Sequence, residues 1–130
     1  MKRFLNNRDG FSLVELLVVL LVMSILLYFA VPNIVQIKSD SETELAKARA
    51  EALNLAAAAY VQARGTNVLA SWASWSEDQR FTNVMGYLAF PEPTLSAFLP
   101  SSDYSIEFND SEPHKQKATL FGPNSNVIAY

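Results

Sequence analysis

The chain has 130 residues, half of them hydrophobic, with ten basic against thirteen acidic side chains and no cysteine. That length allows one domain, and with an apolar first quarter set aside for the membrane, too little remains for a deep catalytic cleft. The few cations are scattered and the net charge is −3, so a nucleic-acid ligand is not indicated, and without disulfides stability must come from helix packing or assembly.

Residues 1–10, MKRFLNNRDG, are polar and basic, and residues 11–31, FSLVELLVVLLVMSILLYFAV, are apolar except for Ser12, Glu15 and Ser24. At about 1.5 Å per residue a helix over 11–31 matches a hydrocarbon core of roughly 30 Å. Lys2, Arg3 and Arg8 precede this span, whereas Lys38 is outnumbered by Asp40, Glu42 and Glu44 after it. The positive-inside rule therefore places the N-terminus in the cytoplasm and the remainder outside. A secretory signal peptide fits poorly, because a cut after Ala30 puts the bulky Tyr28 three residues back. A plain single-pass anchor with a short cytoplasmic tail accounts for these features as well.

Two residues stand apart from a plain anchor. Glu15 is ionisable inside the apolar run, at a cost of about 2.5–3.5 kcal/mol at a helix centre and less near an end. The helix macrodipole offsets only about 0.3–1 kcal/mol of that, so the carboxylate calls for a partner. Gly10 marks the junction of leader and helix, where a protease can take an unhindered backbone, and a cut there makes a new cation near Glu15.

The run Gly10-Phe11-Ser12-Leu13-Val14-Glu15-Leu16-Leu17-Val18-Val19 closely resembles the class III signal of type IV pilins and type II secretion pseudopilins. The resemblance continues through Pro32 and along the following helix to about Arg64. It implies cleavage between Gly10 and Phe11 by a prepilin peptidase and N-methylation of the new Phe11 amine. It also implies that Glu15 meets the N-terminal amine of a neighbouring copy, or of a related pilin-like subunit, as subunits leave the bilayer. A desolvated carboxylate in an apolar bundle is stabilised only by a well-placed cation, which agrees with that role. The further partners implied are the membrane itself and an inner-membrane assembly platform. The expected product is a periplasmic pseudopilus or a cell-surface filament, and the absence of the C-terminal disulfide loop common among surface pilins leans towards the former. The other function classes in view are a single-pass, membrane-tethered binding module that does not polymerise and an enzyme with a signal-like anchor.

After Pro32, expected to kink the helix, the pattern becomes periodic: Ile34, Ile37, Ser41, Leu45, Ala48, Ala52, Leu55, Ala56, Ala59, Tyr60 and Ala63 recur at threes and fours. This predicts an amphipathic stem over 33–64 with Gly65 as its stop, following a membrane and assembly helix over 11–32. The alanines suit close packing, mainly against the chain's own head.

The head, 65–130, is expected to contain a short helix over SEDQRFTNVMGYL, with Ser76 as its cap, Gln79 completing a capping box, and Phe81, Val84, Met85 and Leu88 on one face. Trp72 and Trp75 are read as core. Pro91, Pro93 and Pro100 punctuate a loop with Leu95, Phe98 and Leu99 as anchors. Tyr104, Ile106 and Phe108 line a first strand, Ala118 to Phe121 mark a second, and 126–130 offer a third. The fold class is therefore α+β and pilin-like, with one long N-terminal helix and a small antiparallel sheet packed on it.

No nucleophile-elbow serine is present, and His114, the single histidine, follows Pro113 in a polar turn, so catalysis is not expected and no cofactor is indicated. Asp103, Asp110 and Glu112 are the weak candidates for calcium, an ion that some pseudopilins carry near their sheet. Their spacing matches no EF-hand loop.

Overall fold

The computed structural model describes residues 10–130, which fall into two compact units, the first ending at Lys38 and the second running from Ser39 to Tyr130. Helix α1, Leu13–Arg64, enters both. It starts two residues later than the expected 11, because Ser12 is its cap, and it is helical through Pro32. Within the first unit every described residue is exposed, including all the large apolar side chains from Phe11 to Ile37. The described chain has this one helix long and apolar enough to cross a membrane.

In the second unit α1 ends as the sequence predicts: Gly65 takes φ +82°, the left-handed region that favours glycine, and its N–H donates to the Val61 carbonyl at 2.8 Å. A 3₁₀ turn at Thr66–Val68 leads into α2, Leu69–Ser74, which carries Trp72. Next comes α3, Glu77–Val84, opened by the expected capping box: Ser76 Oγ accepts from Gln79 N–H and Gln79 Oε1 accepts from Ser76 N–H. α3 stops earlier than the apolar face suggested, since Met85–Tyr87 tightens into a 3₁₀ turn and Leu88 lies beyond it. A further one-turn helix, α4, Leu95–Phe98, replaces the expected loop, because the Thr94 hydroxyl accepts the Ala97 N–H and starts a turn.

Strands β1, Ser105–Glu107, β2, Thr119–Phe121, and β3, Val127–Ile128, form an antiparallel sheet in the order β1-β2-β3. Ile106 faces Leu120, and Leu120 faces Ile128. The β2–β3 connection turns through Asn124 and Ser125, both at positive φ, as a tight hairpin twist requires.

The core of this unit joins all its layers. Ala46, Ala50, Leu53, Ala57 and Tyr60 of α1 are buried against Trp72, Phe81, Val84, Phe98, Ile106 and Leu120. Trp72 is fully buried, packs edge-on against Phe108 at 5.5 Å between ring centres, and donates its Nε1–H to the Asn109 carbonyl at 2.9 Å. Trp75 is half-buried beside Tyr60. Fully burying one such side chain stabilises by about 1.5–3 kcal/mol, so these contacts outweigh any single polar one.

The buried face of α1 differs from the stripe picked out by periodicity. Ala56 and Tyr60 are buried as expected, but Leu45 and Leu55 are 43% and 73% exposed and Ala48 is exposed. The head covers the row Ala46, Ala50, Leu53, Ala57, Tyr60 instead. At 3.6 residues per turn, the row Leu45, Ala48, Ala52, Leu55, Ala59 lies on roughly the opposite side of the helix. α1 thus carries two apolar rows here, each with three alanines, and periodicity read from the sequence alone does not say which one the head covers.

Candidate functional site: the N-terminal junction

Gly10 is exposed, and a Cβ built on it meets nothing within 4 Å, so the chain's own packing does not require glycine there. Phe11 follows, 78% exposed. Ser12 and Glu15 then close a reciprocal pair: Ser12 N–H donates to Glu15 Oε2 at 3.0 Å, and Glu15 N–H donates to Ser12 Oγ at 3.2 Å. This is a capping box, and it satisfies two backbone donors that the start of a helix otherwise leaves open. The S-x-x-E spacing announces it in the sequence, but next to an apolar run Glu15 reads first as an isolated charge. The acid therefore has a partner within its own chain as well as the favourable end of the helix dipole.

Downstream, Ser24 Oγ donates to the Leu20 carbonyl at 2.7 Å and Asn33 Nδ2 to the Phe29 carbonyl at 3.1 Å. Both turn polar side chains back onto the helix, which lowers the cost of carrying them among apolar surroundings. Pro32 leaves the Tyr28 carbonyl without the N–H that a regular helix supplies.

Residues 5–30 match a family model, the prokaryotic N-terminal methylation motif, which is the class III signal of type IV pilins and the substrate signal of prepilin peptidase. The chain carries a type IV pilin-like prepilin signal. The match spans Gly10, Phe11, Ser12 and Glu15 and most of the apolar run, and the motif marks pilin-type structural subunits rather than an enzyme class. No curated protein and no solved structure matches the chain. Part of the leader, residues 1–9, lies outside the described residues.

The remaining candidates are not brought together. Asp110 pairs with Arg80 at 2.7 Å, Glu112 pairs with Lys115 at 2.6 Å, and Asp103 is exposed. Among the described residues no three His, Cys, Asp or Glu side chains converge as a metal site needs. The hydrogen bond and charge of Lys115 hold the Glu112 carboxyl below the usual range. His114 is half-buried rather than fully solvated, and its Nδ1 is buried without a hydrogen-bond partner.

A polar centre that the sequence does not announce surrounds Arg80, the one buried charged residue among those described. Its guanidinium donates to Glu77 Oε1 at 2.7 Å, pairs with Asp110, and reaches the Trp72 carbonyl at 3.1 Å. Glu77 Oε2 in turn accepts the Phe108 N–H at 2.9 Å. Burial pushes the Glu77 carboxyl up despite the Phe108 hydrogen bond and the Arg80 charge, which both act to lower it. This centre ties α3 to the end of β1 and is structural.

Proposed function

We propose that this prepilin-like chain is cut between Gly10 and Phe11, methylated on the Phe11 amine, and assembled through α1 into a filament, either a type IV pilus or a type II secretion pseudopilus. The observation that carries this reading is the methylation motif lying across a fully exposed apolar helix with a charged acid at its first turn. A surface so apolar needs lipid before assembly and other helices after it. Cleavage keeps the Ser12 amide, so the capping box survives, and it creates an ammonium one residue before Ser12. Glu15 then holds its carboxylate where the amine of a neighbouring copy pairs with it and sets the axial register.

The outward row of α1, on which Leu45, Ala48 and Leu55 are exposed and Ala52 and Ala59 half-buried, supports a filament over an isolated tether. Its two leucines are exposed and its alanines permit close helix approach. We assign the segments as leader 1–10, membrane and assembly helix 11–32 with Pro32 as a joint, stem 33–64 and head 65–130. The protein is first held in the bacterial inner membrane with its head in the periplasm.

The test is the intact mass of the protein purified from its host envelope, together with filament yield from a Glu15→Leu variant. A species that begins at Phe11 with one added methyl group, and a strong loss of filaments from the variant, is the expected result. A species retaining residues 1–10, or normal filaments from the variant, overturns the reading and leaves the membrane-tethered binding module.

A further inference from the structure

β1 is an edge strand, and its outer side opens onto a groove of about 310 Å³ between the strand, α3 and α4. Leu95, Leu99 and Tyr104 form the floor of this groove, and Glu77, Asp78 and Glu107 stand along it. Glu77 is paired with Arg80, which it shares with Asp110, whereas Asp78 and Glu107 are exposed and leave the rim acidic.

The backbone of the edge is poised for pairing. Ser105 and Glu107 face Phe121 and Thr119 across the ladder, while the Phe108 N–H and carbonyl are taken on the outer side by Glu77 and Arg80. Hydrogen-bonding directions alternate along an antiparallel strand, so the N–H and carbonyl of Ile106 project to that same outer side. Among the described residues β1 has no neighbouring strand there. The Glu77 carboxylate closes the edge at Phe108 and the Ser101 carbonyl takes the Tyr104 N–H at 3.3 Å, so an added strand pairs at Ile106 alone.

We propose that this edge and groove dock an extended, basic segment of a partner protein by strand addition. Main-chain bonds to Ile106 give the affinity, an apolar side chain fills the floor over Leu95 and Leu99, and flanking Lys or Arg residues meet Asp78 and Glu107. The charge of the rim selects a basic partner over an acidic one.

The test uses the full chain in detergent micelles and a fluorescent peptide of alternating leucine and lysine. Controls are the same peptide N-methylated at its central amides and a leucine–glutamate counterpart. Saturable binding of the basic peptide is expected, with slower exchange of the Ile106 amide. Affinity should drop by about tenfold or more for each control and for a Glu107→Lys variant. Asp78→Asn, which keeps the side chain's size, should give a smaller loss in the same direction. Binding that ignores N-methylation, or that the acidic peptide shares, overturns the proposal. Protection of Ile106 by self-association without peptide also overturns it, because the edge then belongs to a second copy. None of these outcomes depends on whether Gly10 is cut.

Discussion

The Ser12 N–H reaches the Glu15 carboxylate at 3.0 Å, so the one acid of the apolar run 11–31 is bound to the residue that caps the helix. Its capping role and its proposed pairing with a neighbour's amine are separable. Glu15→Gln keeps an acceptor for Ser12 but removes the charge, whereas Glu15→Leu removes both. Exchange of the Ser12 amide in micelles should stay slow in the Gln variant and quicken in the Leu variant, by a factor that reflects a cap worth about 1 kcal/mol. Filament yield should fall in both. Wild-type yield from Glu15→Gln would show that assembly needs the cap and not the charge.

Asn54 is a polar residue on the half-buried flank of α1, and it binds two elements of the head. Its Oδ1 accepts the Ala118 N–H at 2.8 Å, and its Nδ2 donates to Tyr130 Oη at 3.0 Å. Tyr130 Oη donates onward to the Ala118 carbonyl, and burial raises the Tyr130 phenol above its ordinary range. Asn54→Leu strands the Ala118 N–H beside a buried side chain and should lower stability by about 1–3 kcal/mol in a thermal melt. Asn54→Asp keeps the acceptor and loses the donor, and should cost less. Equal losses would mean that the Tyr130 bond, not the strand amide, carries the effect.

Glu77 gives stability a pH dependence of definite sign. Its folded carboxyl is raised above the ordinary 4.5, so on acidification the native state takes up this proton before the unfolded chain does. The native state therefore binds more protons in the window just above 4.5, and the contribution of Glu77 to stability falls as pH rises through that window. Glu112, with its carboxyl lowered by Lys115, acts in the opposite sense and only below 4.5, where the stability it supplies is lost on acidification. Urea midpoints across the upper window should show a downward slope towards neutral pH that Glu77→Gln flattens, while Glu112→Gln leaves it unchanged. A slope that survives in Glu77→Gln would assign it to another group.

Much of this architecture is written locally. Ser76 and Gln79 specify the start of α3, Gly65 specifies the end of α1, and the alternation of Tyr104, Ile106 and Phe108 specifies which face of β1 is buried. The junction at Gly10 and Phe11 is legible for the same reason, since the break between a basic leader and an apolar helix is a property of adjacent residues. The side of α1 that the head covers is not local. Two apolar rows with three alanines each compete there, and which one is covered is fixed only when Trp72 and the sheet pack onto the helix. The Arg80 centre is equally hidden, because its partners Glu77, Asp110 and the Trp72 carbonyl are gathered only when the head has folded.

The β2–β3 hairpin rests on a close contact at Gly122. A Cβ built there lies 2.6 Å from Ile128 Cδ1 and 3.2 Å from Asn126 Oδ1, although the backbone at φ −106° is one that any residue adopts. The demand for glycine is therefore one of space, not of dihedral angle. The atom the Cβ meets is the tip of a half-buried side chain that can turn aside, so Gly122→Ala should cost about 0.5–1.5 kcal/mol, the scale of an off-rotamer side chain. Ile128→Val removes the Cδ1 atom that the new methyl group meets, so in the Gly122→Ala background it should restore part of that loss, although alone it destabilises by about 0.5–1.5 kcal/mol. A double-mutant cycle on urea midpoints reads this directly, since the two changes should sum to less than their separate effects. Strict additivity would place the cost of Gly122→Ala at Asn126, whose carbonyl accepts the Gly122 N–H at 2.9 Å, and would predict that shortening Asn126 rescues it instead.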